Sequence, residues 1–168
     1  MQTYLVLLRA VNVGGTGKLP MAELRSMAEA EGFENVRSYI QSGNLIFTSS
    51  DTSNAVKVAL ERRLENYAGK SVGVIMRTVR DMQDVLANNP FPHAAPNKVG
   101  VLFLNDAPKL TDITNAKGRS DEEILLGRKE IFIHFPSGMG VSRLRMTAMS
   151  EGTMRNMNTV TQLVKLAT

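Results

Sequence analysis

Residues 3–20 read TYLVLLRAVNVGGTGKLP. The segment opens with a continuous apolar run, which is typical of a buried β-strand, and passes directly into a glycine-rich stretch that ends at Lys18. Pro20 then favours the first turn of a helix, because its ring holds φ near the helical value. Proteins often bind anions with this order of strand, glycine-rich loop and helix, since loop N–H groups and a helix N-terminus point to one place.

The rest of the first half alternates helices and strands in a known order. Apolar residues at helical spacing after Pro20 predict a helix, and Gly32 provides its C-terminal stop. Gln41-Ser42-Gly43 is typical of a tight hairpin turn between two short strands. The strand, strand, helix and strand that follow the first helix are predicted over residues 36–40, 44–48, 55–68 and 71–78. The resulting order, βαββαβ, is the ferredoxin-like plan.

The first strand is apolar on both of its faces. Alternate side chains of a strand point to opposite sides of the sheet, which gives two groups, Tyr4, Val6 and Leu8 on one side and Thr3, Leu5 and Leu7 on the other. A single ferredoxin-like domain leaves one face of its sheet open to water. We therefore expect the second half of the chain, or another subunit, to cover that face.

The second half echoes this order without repeating the sequence. Its predicted helices cover residues 79–87, 109–116, 141–150 and 159–166, and its predicted strands cover 99–104, 122–126 and 129–135. Pro90 and Pro92 mark a turn or linker, because neither can continue a helix. The sequence predicts an α+β fold in which a ferredoxin-like half, residues 1–78, packs with a second α+β, ferredoxin-like half, residues 79–168, that ends in helices.

Composition indicates a soluble globular protein. The 168 residues are 43% hydrophobic and 21% charged, which is ordinary for that class. No run approaches the ~20 apolar residues of a membrane span, and the N-terminus lacks a basic-then-apolar signal pattern. The absence of cysteine excludes disulfides, thiol catalysis and cysteine-based metal sites. We therefore expect a cytoplasmic protein that does not associate with a membrane.

Positive charge is concentrated at the two ends of the chain, whose formal net charge is +4. Residues 1–22 contain Arg9 and Lys18 and no acidic residue, and residues 141–168 contain three arginines and one lysine against Glu151. This surplus is either solvated surface or part of a site for an anionic partner, such as a phosphate-bearing small molecule or a nucleic acid.

The glycine-rich loop matches neither of the common phosphate-binding signatures. A P-loop would need glycine where Asn12 stands, and Ser or Thr where Leu19 follows Lys18. A dinucleotide-binding loop would need one more glycine near its end. Two interpretations remain open. The glycines only allow positive φ in a flexible connection, or Gly14 and Gly15 donate backbone N–H groups to an anion.

The hairpin turn adds polar residues that we expect at the same end of the sheet as this loop. Strands one and three are central neighbours in a βαββαβ sheet, and the chain leaves the first where it enters the third. Gln41, Ser42 and Asn44 are therefore expected beside the loop, where they can contact a ligand. Hairpin turns also select these residue types for backbone reasons, so a purely structural role stays open.

The segment 153–160 is rich in hydrogen-bonding side chains. Asn158 or Thr159 is predicted to cap the last helix, because their side-chain oxygens accept hydrogen bonds from the first turn. Arg155 and Asn156 then have one of two roles: they attach the C-terminal helix to the body of the protein, or they contribute to the anion site.

No residue pattern indicates a reaction, a cofactor or a metal. His93 and His134 lie far apart without helical ligand spacing. Acidic residues 121–123 are interpreted as a hairpin edge, and neither Ser42 nor Ser137 has a recognisable base beside it. Whether the protein is an enzyme stays open.

Five short motifs occur in the order found in a known family. They read RAVNVGG (9–15), LPM (19–21), YIQSGN (39–44), NPFP (89–92) and RNMNTV (155–160). The chain thereby resembles the bacterial domain-of-unknown-function 1697 family. Ala10 stands where the family usually has glycine and Met157 where it usually has tryptophan, so the second departure removes an aromatic that could stack on a base. The resemblance implies a cytoplasmic α+β protein with ferredoxin-like halves and implies no activity.

These observations favour a site for a phosphate-bearing small molecule at the glycine-rich loop, with no reaction specified. The residues predicted to line it are Arg9, Asn12, Gly14, Gly15, Lys18, Gln41, Ser42, Asn44, Arg155, Asn156 and Asn158. One alternative is a nucleic-acid-binding module, which the basic ends favour and the aromatic content of 5% disfavours. Another is a structural or partner-binding protein without catalysis, in which the same motifs join the two halves.

Overall fold

The structure is a computed structural model that describes residues 1–9, 19–40 and 43–168. Its contacts divide the chain into two compact units, one formed by Met1–Asp81 with Leu163–Thr168 and the other by Met82–Gln162. Each unit contains a four-stranded antiparallel sheet. The predicted α+β fold class is confirmed. The predicted domain boundary after residue 78 stays a prediction.

The first unit has the βαββαβ order that the sequence predicts. Its elements are β1 (Gln2–Leu8), α1 (Met21–Ala30), β2 (Glu34–Tyr39), β3 (Asn44–Ser49), α2 (Ser53–Ala68) and β4 (Val74–Thr78). The strands lie in the order β2-β3-β1-β4, so β1 and β3 are central neighbours. In this register Leu7 of β1 lies opposite Asn44, the first residue of β3.

Local sequence explains where the two helices of this unit end. Glycine occupies the left-handed region after each of them, with φ of 85° at Gly32 and 75° at Gly69. After α1, the N–H of Phe33 donates to Ala28 O at 3.2 Å, the closing bond of a Schellman motif. At the other end of α2, Thr52 Oγ1 accepts from Ala55 N–H at 3.2 Å and caps the first turn.

Both faces of β1 are buried, as the apolar pattern predicts. Tyr4, Val6 and Leu8 belong to a core cluster with residues of α1 and α2. On the opposite face Leu5 and Leu7 are fully buried as well. That the second half of the chain, or another subunit, covers this second face stays a prediction.

The second unit repeats the strand arrangement of the first. In chain order the remaining elements are α3 (Val79–Ala87), β5 (Val99–Phe103), α4 (Leu110–Thr114), β6 (Glu123–Leu126), β7 (Glu130–His134), α5 (Ala148–Glu151), β8 (Thr153–Asn156) and α6 (Met157–Ala167). The strand order β6-β7-β5-β8 places the first and third strands of the unit at the centre, as in the first sheet. Leu102, Ile131 and Ile133 contribute one buried cluster on this sheet.

The predicted helix over residues 141–150 is wrong. Val141 ends a short 3₁₀ turn, Met139–Val141, and the end of the range forms the single turn α5. The segment between them is held in extended form by a bridge between Arg145 and Lys117. Arg145 N–H donates to Lys117 O at 2.7 Å, and Lys117 N–H donates to Arg145 O at 2.8 Å. These tertiary bonds occupy the backbone groups that a helix would need.

Two further corrections concern the C-terminal segment. Residues 153–156 form strand β8 against β5, an element that the sequence analysis did not predict. Helix α6 begins at Met157, and its cap is Asn156, whose Oδ1 accepts from Thr159 N–H at 2.9 Å. The prediction of a cap at Asn158 or Thr159 is therefore wrong. Among the described parts of the chain, no helix is both long and apolar enough to cross a membrane.

Candidate functional site

The end of β1 is held between two turns of the first unit. Leu8 N–H donates to Gly43 O, in the β2–β3 turn, at 2.9 Å. Arg9 N–H donates to Gly73 O, just before β4, at 2.9 Å. The N–H groups of these two consecutive residues therefore bond in opposite directions, one toward the start of β3 and one toward the start of β4. Arg9 and Asn44 lie at this same end.

The side chain of Arg9 lies directly against Gly73. A Cβ atom at Gly73 would come within 2.8 Å of Arg9 Cδ and within 3.2 Å of its Nη1. A larger residue at position 73 would therefore have to displace the Arg9 side chain. Arg9 is partly buried.

Asn44 has a structural role in the β2–β3 hairpin. The residue is fully buried, and its Nδ2 donates to Tyr39 O at 3.0 Å across the hairpin. Gly43, with φ of 81°, provides the left-handed residue of the turn. Ile40, at the other side of the turn, also has positive φ, 50°, which a β-branched residue rarely adopts.

Six residues of the predicted site lie outside the described part of the chain. They are Asn12, Gly14, Gly15, Lys18, Gln41 and Ser42. The described residues that border them are Arg9 and Leu19 for the glycine-rich segment, and Ile40 and Gly43 for the hairpin turn.

The other three predicted site residues belong to the second unit. Arg155 of β8 is buried; its Nη1 donates to Thr153 Oγ1 at 2.6 Å and to Met154 O at 3.1 Å. Desolvation lowers the pKa of Arg155 to about 10, so the guanidinium stays charged at neutral pH. Asn156 is the cap of α6, and Asn158 is exposed in its first turn. Capping therefore accounts for Asn156 without a ligand.

A polar pocket of the second unit was missed by the sequence analysis. Its volume is about 230 Å³, and it is lined by residues from three segments, 118–122, 135–138 and 141–143. Ser142 Oγ donates to Glu122 Oε2, and Ser120 N–H donates to Glu122 Oε1 at 2.6 Å. Ser137 Oγ donates to Asp121 Oδ2.

The pocket carboxylates hold the three segments together. The hydrogen bond from Ser142 is the largest cause of a lowered pKa at Glu122, followed by that from the backbone of Ser120. Both carboxylate oxygens of Glu122 already accept a hydrogen bond. In the described part of the chain, no group of three or more His, Cys, Asp or Glu residues is placed to hold a metal ion.

His134 is a hydrogen-bonded residue of strand β7. Its Nδ1 lies 2.9 Å from Glu123 Oε1, and its ring centroid lies 5.5 Å from that of Phe91.

Comparisons with known proteins identify a family and a similar solved structure, and neither description names an activity. A family model described as "Protein of unknown function (DUF1697)" matches residues 1–132. The structure of the conserved bacterial protein SP0830 from Streptococcus pneumoniae is similar with a TM-score of 0.82 and 25% sequence identity, and the match covers 99% of each chain. No curated protein matches the sequence.

Proposed function

Because the chain belongs to the DUF1697 family, whose description gives no function, we propose from its own geometry that it binds a phosphate-bearing small molecule at the end of β1. Arg9 and Lys18 neutralise the ligand, and backbone N–H groups of the glycine-rich segment donate to its oxygens. Gln41 and Ser42 contribute polar side chains from the neighbouring turn. The roles of Arg155, Asn156 and Asn158 in ligand binding stay predictions from the sequence.

The position of Arg9 carries the proposal. Its side chain packs against Gly73, and its backbone N–H donates to Gly73 O just before β4. The planar guanidinium of an arginine can donate two parallel hydrogen bonds to a phosphate. A partly buried arginine at the point where the chain leaves β1 therefore supports a binding role for its charge.

The backbone at Ile40 gives further support. The residue is 50% exposed and has a φ of 50° in the hairpin turn. Strained residues of this kind concentrate at ligand sites, where the surrounding structure maintains them. Ile40 directly precedes Gln41 and Ser42 in the hairpin turn.

Thermal melting with inorganic phosphate, pyrophosphate or ADP tests the proposal. At a ligand concentration about ten times Kd, binding adds about 1.4 kcal/mol to stability, which raises Tm by about 3–6 °C for a chain of this size. The shift is lost in Arg9→Gln and in Lys18→Gln. Arg62→Gln, which removes the same charge from an exposed position of α2, retains it.

Two results contradict the proposal. One is the absence of a Tm shift with all three ligands. The other is an equal shift in the wild type and in the Arg9→Gln and Lys18→Gln variants. If these variants instead lose Tm without any ligand, the residues have the structural role that the sequence left open.

Oligonucleotide titration distinguishes the nucleic-acid alternative. A nucleic-acid-binding module would bind oligonucleotides with an affinity that falls steeply as salt increases, because each neutralised phosphate releases counterions. Binding of ADP or pyrophosphate without oligonucleotide binding supports the small-molecule site. The cytoplasmic location expected from the sequence forms part of the proposal, and cell fractionation tests it.

A further inference from the structure

Strand β6 forms one edge of the second sheet and exposes two leucines. The sheet order is β6-β7-β5-β8, and no other described strand pairs with the outer side of β6. Leu125 is 48% exposed and Leu126 is 36% exposed. An apolar edge strand presents unpaired backbone groups beside apolar side chains, and it is therefore a template for a further strand.

The hydrogen-bonding pattern identifies which backbone groups of β6 point outward. Gly127 N–H donates to Glu130 O at 2.7 Å, and Leu125 lies opposite Phe132. Because hydrogen-bonded and non-hydrogen-bonded pairs alternate in an antiparallel ladder, the backbone N–H and C=O of Leu125 point toward β7 and bond to it. Ile124 and Leu126 consequently direct their N–H and C=O groups away from the sheet.

The charges of residues 121–129 favour antiparallel pairing of this segment with a second copy of itself. Residues 121–123 are Asp-Glu-Glu, residues 124–126 are Ile-Leu-Leu, and Arg128 and Lys129 follow Gly127. Two such segments placed antiparallel about Leu125 bring the exposed acids of each, Asp121 and Glu123, toward the basic end of the other. Glu122 takes no part, because it is buried and hydrogen-bonded within its own unit. A parallel copy would place like charges together, which opposes that arrangement.

We propose that two copies of this chain pair through β6, antiparallel and centred on Leu125, to form a continuous eight-stranded sheet. A twofold axis normal to the sheet preserves its faces, so Leu125 lies opposite Leu125 of the partner subunit. Ile124 then lies opposite Leu126 of the partner subunit, and these residues exchange the outward backbone hydrogen bonds. Because a single short strand pair buries little area, the dimer is weak and its population depends on protein concentration.

Sedimentation velocity from about 1 µM to about 1 mM protein tests the association. The wild type shifts from monomer toward dimer across this range. Leu125→Lys raises the dissociation constant by at least about tenfold, since an edge lysine opposes strand pairing. Leu110→Lys makes the same change at a 67% exposed residue of α4 and leaves association unchanged. Circular dichroism melting of each variant checks that it folds.

Cross-linking tests the register, because the chain has no cysteine of its own. Opposed residues of a non-hydrogen-bonded pair have Cα atoms about 4.5 Å apart, a separation that a disulfide can span. Under oxidation, Leu125→Cys gives a covalent dimer at protein concentrations where Leu110→Cys stays monomeric. The proposal is overturned if the wild type is monomeric up to about 1 mM, or if the two cysteine variants cross-link equally. Association that survives Leu125→Lys also overturns it, because the dimer must then use another surface.

Discussion

In the second unit, the side chain of Glu122 links segments that are distant from each other in the sequence. Glu122 accepts from the backbone of Ser120 and from the hydroxyl of Ser142. A carboxylate that accepts several hydrogen bonds is stabilised in its charged form, which is why the pKa of Glu122 lies below its ordinary value of 4.5. The stability of this unit therefore depends on pH through a group that the sequence analysis interpreted as a hairpin edge.

Removing the Ser142 hydroxyl should remove part of this pH dependence, because that hydroxyl is the largest cause of the lowered pKa of Glu122. A lowered folded-state pKa contributes stability that is complete above the unfolded value of 4.5 and is lost as pH falls through the folded value. Ser142→Ala should therefore lower the free energy of unfolding by about 1–2 kcal/mol at neutral pH. The difference from wild type should shrink below pH 4.5.

Urea unfolding at several pH values between about 7 and about 3 measures this difference. Ser120→Ala is the matched control, because it keeps the backbone N–H that Glu122 uses. A difference between Ser142→Ala and wild type that does not change with pH would show that Glu122 is not the acceptor that matters.

At the scale of elements, local signals placed most helices and strands, and tertiary contacts decided the exceptions. Glycines at positive φ end α1 and α2 where the sequence predicts their stops. Strand β8 has no strong local pattern, and it exists because residues 153–156 pair with β5. A strand that depends on a distant partner gives little signal within its own residues.

The start of α6 gives a test at this scale. Asn156→Ala removes the cap that accepts from Thr159 N–H and should lower the free energy of unfolding by about 1 kcal/mol. Asn158→Ala changes an exposed residue inside the first turn and should stay within about 0.5 kcal/mol of wild type. Chemical denaturation of both variants measures the effect. If Asn158→Ala lost more stability than Asn156→Ala, Asn158 would be the cap, as the sequence predicts.

At the scale of the whole molecule, two sheets have the same strand order although their sequences show no repeat. The first is β2-β3-β1-β4 and the second is β6-β7-β5-β8. The similarity to the Streptococcus pneumoniae protein extends over 99% of both chains. Both faces of β1 are buried, so side chains on the second face contribute to stability as core residues do.

Leu5 tests the burial of that second face. The residue is fully buried, and Leu5→Ala should lower the free energy of unfolding by about 2–5 kcal/mol through lost burial and a residual cavity. Val58→Ala, at a 51% exposed position of α2, should change it by less than about 0.5 kcal/mol. Urea unfolding compares the two. Equal small effects would mean that water reaches the second face of β1.

Local sequence patterns are enough to predict the α+β class, the βαββαβ order of the first unit and the need to bury both faces of β1. Each of these follows from residue spacing or from glycine and proline chemistry, which act over a few neighbouring positions. Long-range contacts account for β8, the extended segment before α5, the packing of Arg9 against Gly73 and the pocket around Glu122. Each of these depends on partners that are distant in sequence, such as Ser142 for Glu122, and no local pattern encodes such a pairing.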